Sequence, residues 1–586
     1  MSFEIFILIV VIFFLIVSLY FEIFHPAATF FISVSILVIF GILTPSQALS
    51  GFSNTQIAII ILLLLISNIL QKIGIINFYF SKIFKSSKSY KSFLSKMFFI
   101  TSTLSSILNN TPIVAMFIPY VYQWSKRNNV YPSKLLIPLS YAAILGGTIT
   151  LIGTSTNLIV NGLAVENGLK SLGIFDFAYV GIPATIIGFI YIYFVGNKLL
   201  PARKDVIDTF LERKKEYIVE TVIKNNSPIV GKTIKEAKLR NLKGLFLAEI
   251  IRGYEKISPV SPNEILKSND ILIFVGQTES ITDLLSSDLG ISIPDVCEIP
   301  GEKTEIVEVV VSNNSSLINK RIKDTDFRAK YDAAILAVHR NGEKLSGKIG
   351  DIVLKAGDLL LLITGKDFWK RAEDTTDFYI VSKVKEILNI DKFKGNLIFL
   401  GFLSVIILSA FNIISLFTGL ILLISISVIF KIVSYSEIKK GFDINLLIIA
   451  ALSLAIGKAM IITKTADFIS SGILSIFSPF GVIGALIGIY LITNILTEFI
   501  TNLAAASITF PIALSLANTL SLEPTAFILA VAYGASASFI TPIGYQTNLM
   551  VYAVGNYKFK DFIIVGLPLS ILYAIICISI LYILFI

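Results

Sequence analysis

Asn109-Asn110-Thr111-Pro112 with Gly153-Thr154-Ser155-Thr156-Asn157-Leu158, and Thr501-Asn502-Leu503-Ala504 with Gly544-Tyr545-Gln546-Thr547-Asn548-Leu549, are two passages of one pattern. Asn110 maps onto Asn502 and Pro119 onto Pro511 at a spacing of 392; Asn157 maps onto Asn548 at 391, and Gly51-Phe52 onto Gly441-Phe442 at 390. The register holds through successive apolar segments. In both passages small polar residues interrupt long apolar helices at matching points, which is the sequence signature of a transporter site built by an internal repeat.

Composition agrees. The 586 residues are 55% hydrophobic and only 15% charged, against about 25% charged in an ordinary soluble domain, and the mean hydropathy is +0.81. This is a membrane protein with too many apolar runs to be one anchored domain. The net charge of +9 reads as basic cytoplasmic loops, and without basic-aromatic clusters no nucleic-acid partner is expected. Cys297 and Cys577 lie in unlike surroundings, and His25 and His339 stand apart, so neither a disulfide nor a metal centre is expected. Residues 1–20 have no basic leader or cleavage site and read as a retained first span.

Spans of about 20 apolar residues are expected near 3–21, 27–43 and 56–74, followed by an amphipathic Lys-rich piece at 77–93. A re-entrant hairpin follows, with arms at 94–108 and 112–124 broken at Asn109–Pro112. A helix from Pro132 breaks around Gly153–Asn157, and a last span covers 177–199. The second half repeats this order: spans near 396–412, 413–431 and 443–461, an amphipathic piece at 463–478, hairpin arms at 481–500 and 503–518, a helix at 523–555 broken around Thr541–Asn548, and a span at 561–586. The expected fold is therefore a polytopic α-helical membrane protein. It has two inverted five-helix repeats, 1–200 and 395–586, each with a re-entrant hairpin and a broken helix.

Between them, after Pro201-Ala202-Arg203-Lys204, the chain turns polar and strand-like and carries a duplication of its own. The units run over Asn226–Leu285 and Val307–Ala372. Each places a polar turn, Ser268-Asn269-Asp270 or Ala356-Gly357-Asp358, before an apolar strand that ends in Gly. Two small α/β modules, 201–300 and 301–394, are expected. With the N-terminus outside, Lys91, Lys96, Lys126, Arg127, Lys134, Arg203, Lys204, Lys431, Lys439, Lys440, Lys558 and Lys560 fall inside. Lys82, Lys85 and Lys88 do so too, while the outside keeps little beyond Lys170 and Lys464. That asymmetry puts the modules in the cytoplasm.

A hairpin tip inside a membrane has unpaired backbone groups and survives only where it lines a cavity or is buried in protein. Carbonyls at helix C-terminal ends can hold a small cation there, and amides at N-terminal ends an anion. Small uncharged residues also pack between membrane helices without any ligand, but their coincidence at repeat-related positions favours a site. Glu498 is the one carboxylate deep in a second-half arm; it is either functional or paired with backbone or with Lys458.

Leu108–Pro112 with Gly153–Asn157, and Thr497–Asn502 with Thr541–Met550, resemble the divalent anion:sodium symporter family, which includes carriers of sulfate and of di- and tricarboxylates. The Thr541–Met550 string, read with Tyr552 and Phe559–Phe562, is similar to the sulfate-permease branch. Members of that branch carry TrkA-C (RCK-C) modules between the halves, and the inserted units look like those modules. The resemblance implies a homodimer in the cell (inner) membrane, moving as an elevator, with sodium ions as coupling ions and no other cofactor. It implies one sodium site at Ser106, Asn110 and the backbone near Gly153, and a second at Asn502 and the backbone near Gly544. Substrate would contact Asn110, Thr111 and Asn502 with Thr156, Asn157, Thr547 and Asn548.

Leu503 stands where the dicarboxylate carriers have a hydroxyl, which favours a smaller divalent oxyanion such as sulfate. The alternatives are a sodium-coupled di- or tricarboxylate symporter, a sodium/proton or arsenite-type antiporter using Glu498, and an anion sensor reporting through the modules. No GxGxxG turn occurs between 200 and 395, so nucleotide binding of the Rossmann type is not expected. A small regulatory ligand on the modules, such as a cyclic dinucleotide or an ion, and a purely dimer-supporting role are both open. No nucleophile–base pair points to an enzyme.

Overall fold

The computed structural model describes residues 2–586 apart from 22, 74, 77–88, 204–217, 240–241, 243–244, 254, 277–288, 293–305, 313–314, 341–342, 346–348, 366, 373–374, 376, 382–391, 435–437 and 440. Most of the Lys-rich piece expected at 77–93, with Lys82, Lys85 and Lys88, thus lies outside the described residues, as do Lys204, Cys297 and Lys440.

The first half contains α1 (Phe3–Tyr20), α2 (Pro26–Ile39) and α3 (Thr55–Ile73). Ser2 caps α1 by accepting from the Ile5 N–H at 3.3 Å, and α2 opens on Pro26, which lacks the amide that a first helical turn leaves unpaired. The hairpin arms are α4 (Tyr90–Ser105) and α5 (Asn110–Arg127). The broken helix forms α6 (Leu136–Gly147) and α7 (Ser155–Glu166), and α8 (Ala178–Leu199) closes the half. The pieces α6 and α7 have 12 residues each. At 1.5 Å per residue that is about 18 Å, short of the ~30 Å hydrocarbon core, so neither piece crosses alone.

The second half contains α9 (Lys392–Ala410), α10 (Leu416–Ile429), α11 (Ile444–Ile462) and the amphipathic α12 (Thr465–Phe477). Its hairpin arms are α13 (Gly481–Phe499) and α14 (Asn502–Thr519). The second broken helix forms α15 (Thr525–Ser536) and α16 (Gln546–Val554), and α17 (Phe559–Phe585) ends the chain. Six helices among the described residues are long and apolar enough to cross a membrane, or seven if the bent pair Pro45–Ser53 and Thr55–Gln71 counts as one span.

Most buried apolar side chains of both halves form one continuous cluster. Outside it, Phe13, Phe31, Ile39 and Ile583 are more than three-fifths exposed. Large apolar groups facing outward in such numbers, in a chain with helices long and apolar enough to cross a membrane, mark a lipid-facing surface. The fold is that of a polytopic membrane protein.

The inserted segment forms two antiparallel sheets. The first contains β1 (Ile218–Ile223), β2 (Leu245–Arg252), β3 (Glu255–Ile257), β4 (Ile271–Gly276) and β5 (Ile291–Ser292), in the order β3-β2-β4-β1-β5. The second contains β6 (Ile306–Val311), β7 (Ala333–Arg340), β8 (Glu343–Lys344), β9 (Leu359–Thr364) and β10 (Phe378–Ile380). Its order, β10-β6-β9-β7-β8, is the same path read from the other edge. The same ion pair pins the same turn in both sheets. Arg252 grips Asp270 through two bonds of 2.9 and 2.8 Å, and Arg340 grips Asp358 through two of 2.7 Å. Both aspartates are fully buried, and each also accepts the amide three residues before it, Lys267 or Lys355. Buried carboxylates need this degree of pairing. The polar turn before each apolar strand is therefore a structural pin.

Candidate functional site: two hairpin tips and two helix breaks

Each tip is tied to its own hairpin by one hydrogen bond. The Ser105 hydroxyl, in the last turn of α4, donates to Asn110 Oδ1. The Thr497 hydroxyl, in the last turn of α13, donates to Asn502 Oδ1 at 3.0 Å. Each break is held the same way twice over. The Thr150 hydroxyl donates to the Ser106 carbonyl at 2.5 Å, and the Thr541 hydroxyl to the Glu498 carbonyl at 2.9 Å. Asn157 Nδ2 donates to the Thr150 carbonyl at 2.9 Å, and Asn548 Nδ2 to the Thr541 carbonyl at 3.2 Å. The members of these contacts stand 391 or 392 residues apart.

The backbone approaches closely at both breaks. A Cβ on Gly153 would lie 2.6 Å from the Gly147 carbonyl oxygen and 2.8 Å from that of Ser105. A Cβ on Gly544 would lie 2.7 Å from the Thr497 carbonyl oxygen and 2.2 Å from the Ser538 hydroxyl. Only glycine fits at either place. The Ser105 and Thr497 carbonyl oxygens, from the ends of the hairpin arms, thus approach the two breaks, and the hydroxyls of the same two residues hold the tip asparagines. That is an uncharged oxygen set of the kind that suits a small monovalent cation.

The helix starts offer the opposite polarity. The N-cap residues of α5, α7 and α16 are Asn109, Thr154 and Tyr545, and none makes a side-chain capping bond. Their first-turn amides receive no acceptor from the N-cap side chain, a chemistry that suits an anion. In contrast, Thr501 caps α14 by accepting from the Ala504 amide at 3.3 Å.

The sequence-predicted residues fall as follows. Asn110 and Thr111 open α5, and Asn502 opens α14. Asn110, Thr156, Asn157, Thr547 and Asn548 are buried. Thr547 and Asn548 are joined to the first half by the Ser140 hydroxyl, at 2.8 and 2.7 Å. Among the described residues, Asn157 Oδ1 is a buried acceptor without a donor. The Ser106 hydroxyl turns back onto the Thr103 carbonyl at 2.7 Å, so it is Ser106's carbonyl and the hydroxyl of Ser105 that take part in the tip and break. Pro112 is the third residue of α5. Gly153 and Gly544 lie in the breaks between helices.

Glu498 has a definite role. Its Oε1 accepts the amides of Phe539 and Ile540, both at 2.9 Å, and its Oε2 that of Thr541 at 2.8 Å. Lys458 pairs instead with Glu166 at 3.6 Å. The two halves differ here for a local reason. In the first break the Thr148 and Ile149 amides still reach carbonyls of α6, whereas α15 ends at Ser536 and leaves amides for the carboxylate to collect.

Tyr545 joins the two breaks. Its buried hydroxyl accepts from Asn110 Nδ2 at 2.6 Å and lies 3.3 Å from the Thr154 hydroxyl. Gln546 next to it accepts from Thr111 at 3.0 Å. Sequence reasoning overlooked Ser105, Thr497, Ser140 and Tyr545. The first two could have been found as hydroxyls five residues before each tip asparagine. Tyr545 could have been found as the aromatic that replaces Thr154 in the repeat register.

Apolar helices of spanning length, broken helices and inward-facing polar tips define a multi-pass membrane transporter rather than an enzyme. Comparison with known proteins agrees. A citrate transporter family model (CitMHS) matches residues 10–413 and 403–586. The chain belongs to that family. It is 34% identical over 573 residues to a Chlamydomonas reinhardtii protein named "Putative sulfur deprivation response regulator", covering 94% of this chain and 96% of that one. It is 32% identical over 553 residues to an uncharacterized transporter of Synechocystis, covering 92% and 90%. Sodium/sulfate cotransporter 1 of Chlamydomonas reinhardtii is 24% identical over 756 residues, covering 93% and 86%. These relatives support a permease like those of the divalent anion:sodium symporters.

Proposed function

We propose that this protein is a sodium-coupled symporter of a divalent oxyanion, with sulfate the leading substrate. The observation that carries the reading is the paired set of tip and break contacts, which gathers uncharged oxygens at Gly153 and at Gly544 beside helix starts without side-chain caps. One sodium ion is assigned to Asn110 with the carbonyls near Gly153, and Ser106 contributes through its backbone. The other is assigned to Asn502 with the carbonyls near Gly544. Sulfate is assigned to the space between Asn110-Thr111 and Asn502, facing the starts of the helices that carry Thr156, Asn157, Thr547 and Asn548. Leu503 supports the smaller anion, since an apolar side chain there offers no donor to a second carboxylate. Relatives named as sodium/sulfate cotransporters support the same substrate.

In this reading the halves are inverted repeats, 1–200 and 395–586, that move as an elevator within a homodimer of the inner cell membrane. Residues 201–394 lie in the cytoplasm as two TrkA-C-like modules; the equal strand order of the two sheets and their matching Arg–Asp pins support this. The family model's description favours a second reading, a citrate-like tricarboxylate as substrate.

The test is reconstitution into liposomes with an inward sodium gradient and labelled sulfate, succinate or citrate. Sodium-dependent sulfate uptake that excess citrate does not compete is the expected result. Sodium-dependent citrate or succinate uptake, with sulfate inert, would replace the first reading by the second.

A further inference from the structure

Along β6, side chains point alternately to the two faces of the second sheet. Val307, Val309 and Val311 enter the sheet's own core with Leu360 and Leu362. Val310 points the other way. With Leu359 and Val381 it belongs to the apolar cluster of the membrane helices, and Tyr379 packs against that cluster. Antiparallel sheets commonly leave one face to water. The first sheet contributes no described residue to the membrane cluster, although Ile273 is buried on the face away from its core, whereas the second sheet is covered there by the membrane helices.

The covering contact lies on the proposed site. Gly357, at φ +80°, brings the turn before β9 against α16, where a Cβ would lie 2.6 Å from Leu549 Cγ. The remaining crevice is lined by Thr111, Gln546 and Met550 from the membrane helices and by Ser312 and Tyr379 from the sheet. Thr111 opens the first hairpin's second arm, and Gln546 opens the second broken helix.

We propose that the second inserted sheet is a stopper for the substrate site. Docked through Val310, Leu359 and Tyr379, it narrows the crevice beside Thr111, where Gln546 stays exposed, and release of substrate to that side requires the sheet to part from α16. This rests on Thr111 and the first tip forming the substrate site. The two inserted modules then differ in task, since among the described residues only the second joins the apolar cluster of the membrane helices.

The first experiment measures labelling of Thr111→Cys by a membrane-impermeant charged maleimide, in full-length protein in nanodiscs with Cys297→Ser and Cys577→Ala. Val310→Glu places a charge on the docking face and leaves the sheet's own core untouched. The expected result is slow labelling that Val310→Glu speeds by about tenfold, while Val230→Glu on the first module changes nothing. Equal labelling with and without Val310→Glu overturns the proposal.

Because Val310→Glu could loosen the sheet itself, a second measurement locks the contact. Ser312→Cys and Met550→Cys are joined by a short bismaleimide, and sodium-driven uptake should stop. The single-cysteine proteins treated alike should keep it. Undiminished uptake by the joined protein overturns the stopper. Labelling needs no transport, so protein that moves no sulfate yet shows the labelling difference would refute the substrate and leave the stopper standing.

Discussion

Replacing Glu498 by Gln tests whether the carboxylate is a structural clamp or a proton carrier. Its Oε1 takes two amides, from Phe539 and Ile540, and its Oε2 takes the amide of Thr541. A carboxamide in its better orientation keeps the first two on its one carbonyl oxygen. It then turns an NH2 group toward the Thr541 amide, donor against donor. Leaving that buried amide unpaired costs ~1–3 kcal/mol, and the two surviving bonds lose about 1 kcal/mol each when the acceptor becomes neutral. The total is ~3–5 kcal/mol, and Glu498→Ala, which strips all three amides, costs more. The break that brings Gly544 to the second tip should loosen accordingly. Thermal unfolding in detergent should therefore fall in the order wild type, Gln, Ala, and sodium-driven uptake should fall in the same order at every pH. A Glu498→Gln protein with wild-type stability and wild-type uptake would refute the clamp. Wild-type stability with loss of a proton-driven flux would instead restore the antiporter reading.

The other predictions concern the site and the second module. Tyr545→Phe removes the hydroxyl between Asn110 and Thr154 and should raise the apparent KM for anion or sodium by about five- to tenfold, the equivalent of one hydrogen bond of ~1–1.5 kcal/mol, with thermal unfolding lowered less than in Glu498→Gln; initial rates across both gradients check it. Asn110→Ala and Asn502→Ala should each abolish uptake while the protein still elutes as a folded species in size-exclusion chromatography. Asp377→Asn should selectively loosen the second module, measured by limited proteolysis. Burial alone would raise the Asp377 carboxyl, but hydrogen bonds from Lys330, Tyr331 and Ser316 outweigh it and hold it at about 2. A depressed acid stabilises the fold above its unfolded value, near 3.9. That stabilisation is lost as pH falls through about 2, so acid opening of this module should begin below about pH 4 in wild type and lose that pH step in the Asn variant.

Much of the helical frame was legible because long apolar runs have few alternatives. The helices fall within a few residues of the expected spans, and the breaks at Gly153 and Gly544 were announced by glycine and hydroxyl residues inside apolar sequence. The polar turns at Asp270 and Asp358 were visible as repeated motifs, but their role was not. A motif gives residue types and spacing, whereas the partner arginines stand 18 residues earlier and pair only across a sheet. Ser106 and Ser105 are adjacent in sequence, and only the phase of α4's last turn decides which hydroxyl meets Asn110. The second face of β6 was least legible. Val307–Val311 is apolar almost throughout, and a run without alternation does not say what covers its outer side.

The mismatches between the halves mark the division of labour better than the matches do. Ser106 is replaced by Glu498, Thr154 by Tyr545 and Thr111 by Leu503 in the repeat register. Glu498 collects the amides that α15 leaves free by ending at Ser536, two positions earlier in the repeat register than α6. Tyr545 reaches across to Asn110 and fills the space that a second threonine would leave open. Leu503 is buried on a helix start already capped by Thr501. Leu503 takes a hydroxyl away from the second tip, while the first keeps Thr111 at the crevice and an uncapped helix start. An anion held between such unequal tips would be gripped mainly by the first. The second sheet meets α16 at Leu549, and the crevice it narrows there opens beside Thr111 of that first tip, where control over release of the anion would act most directly.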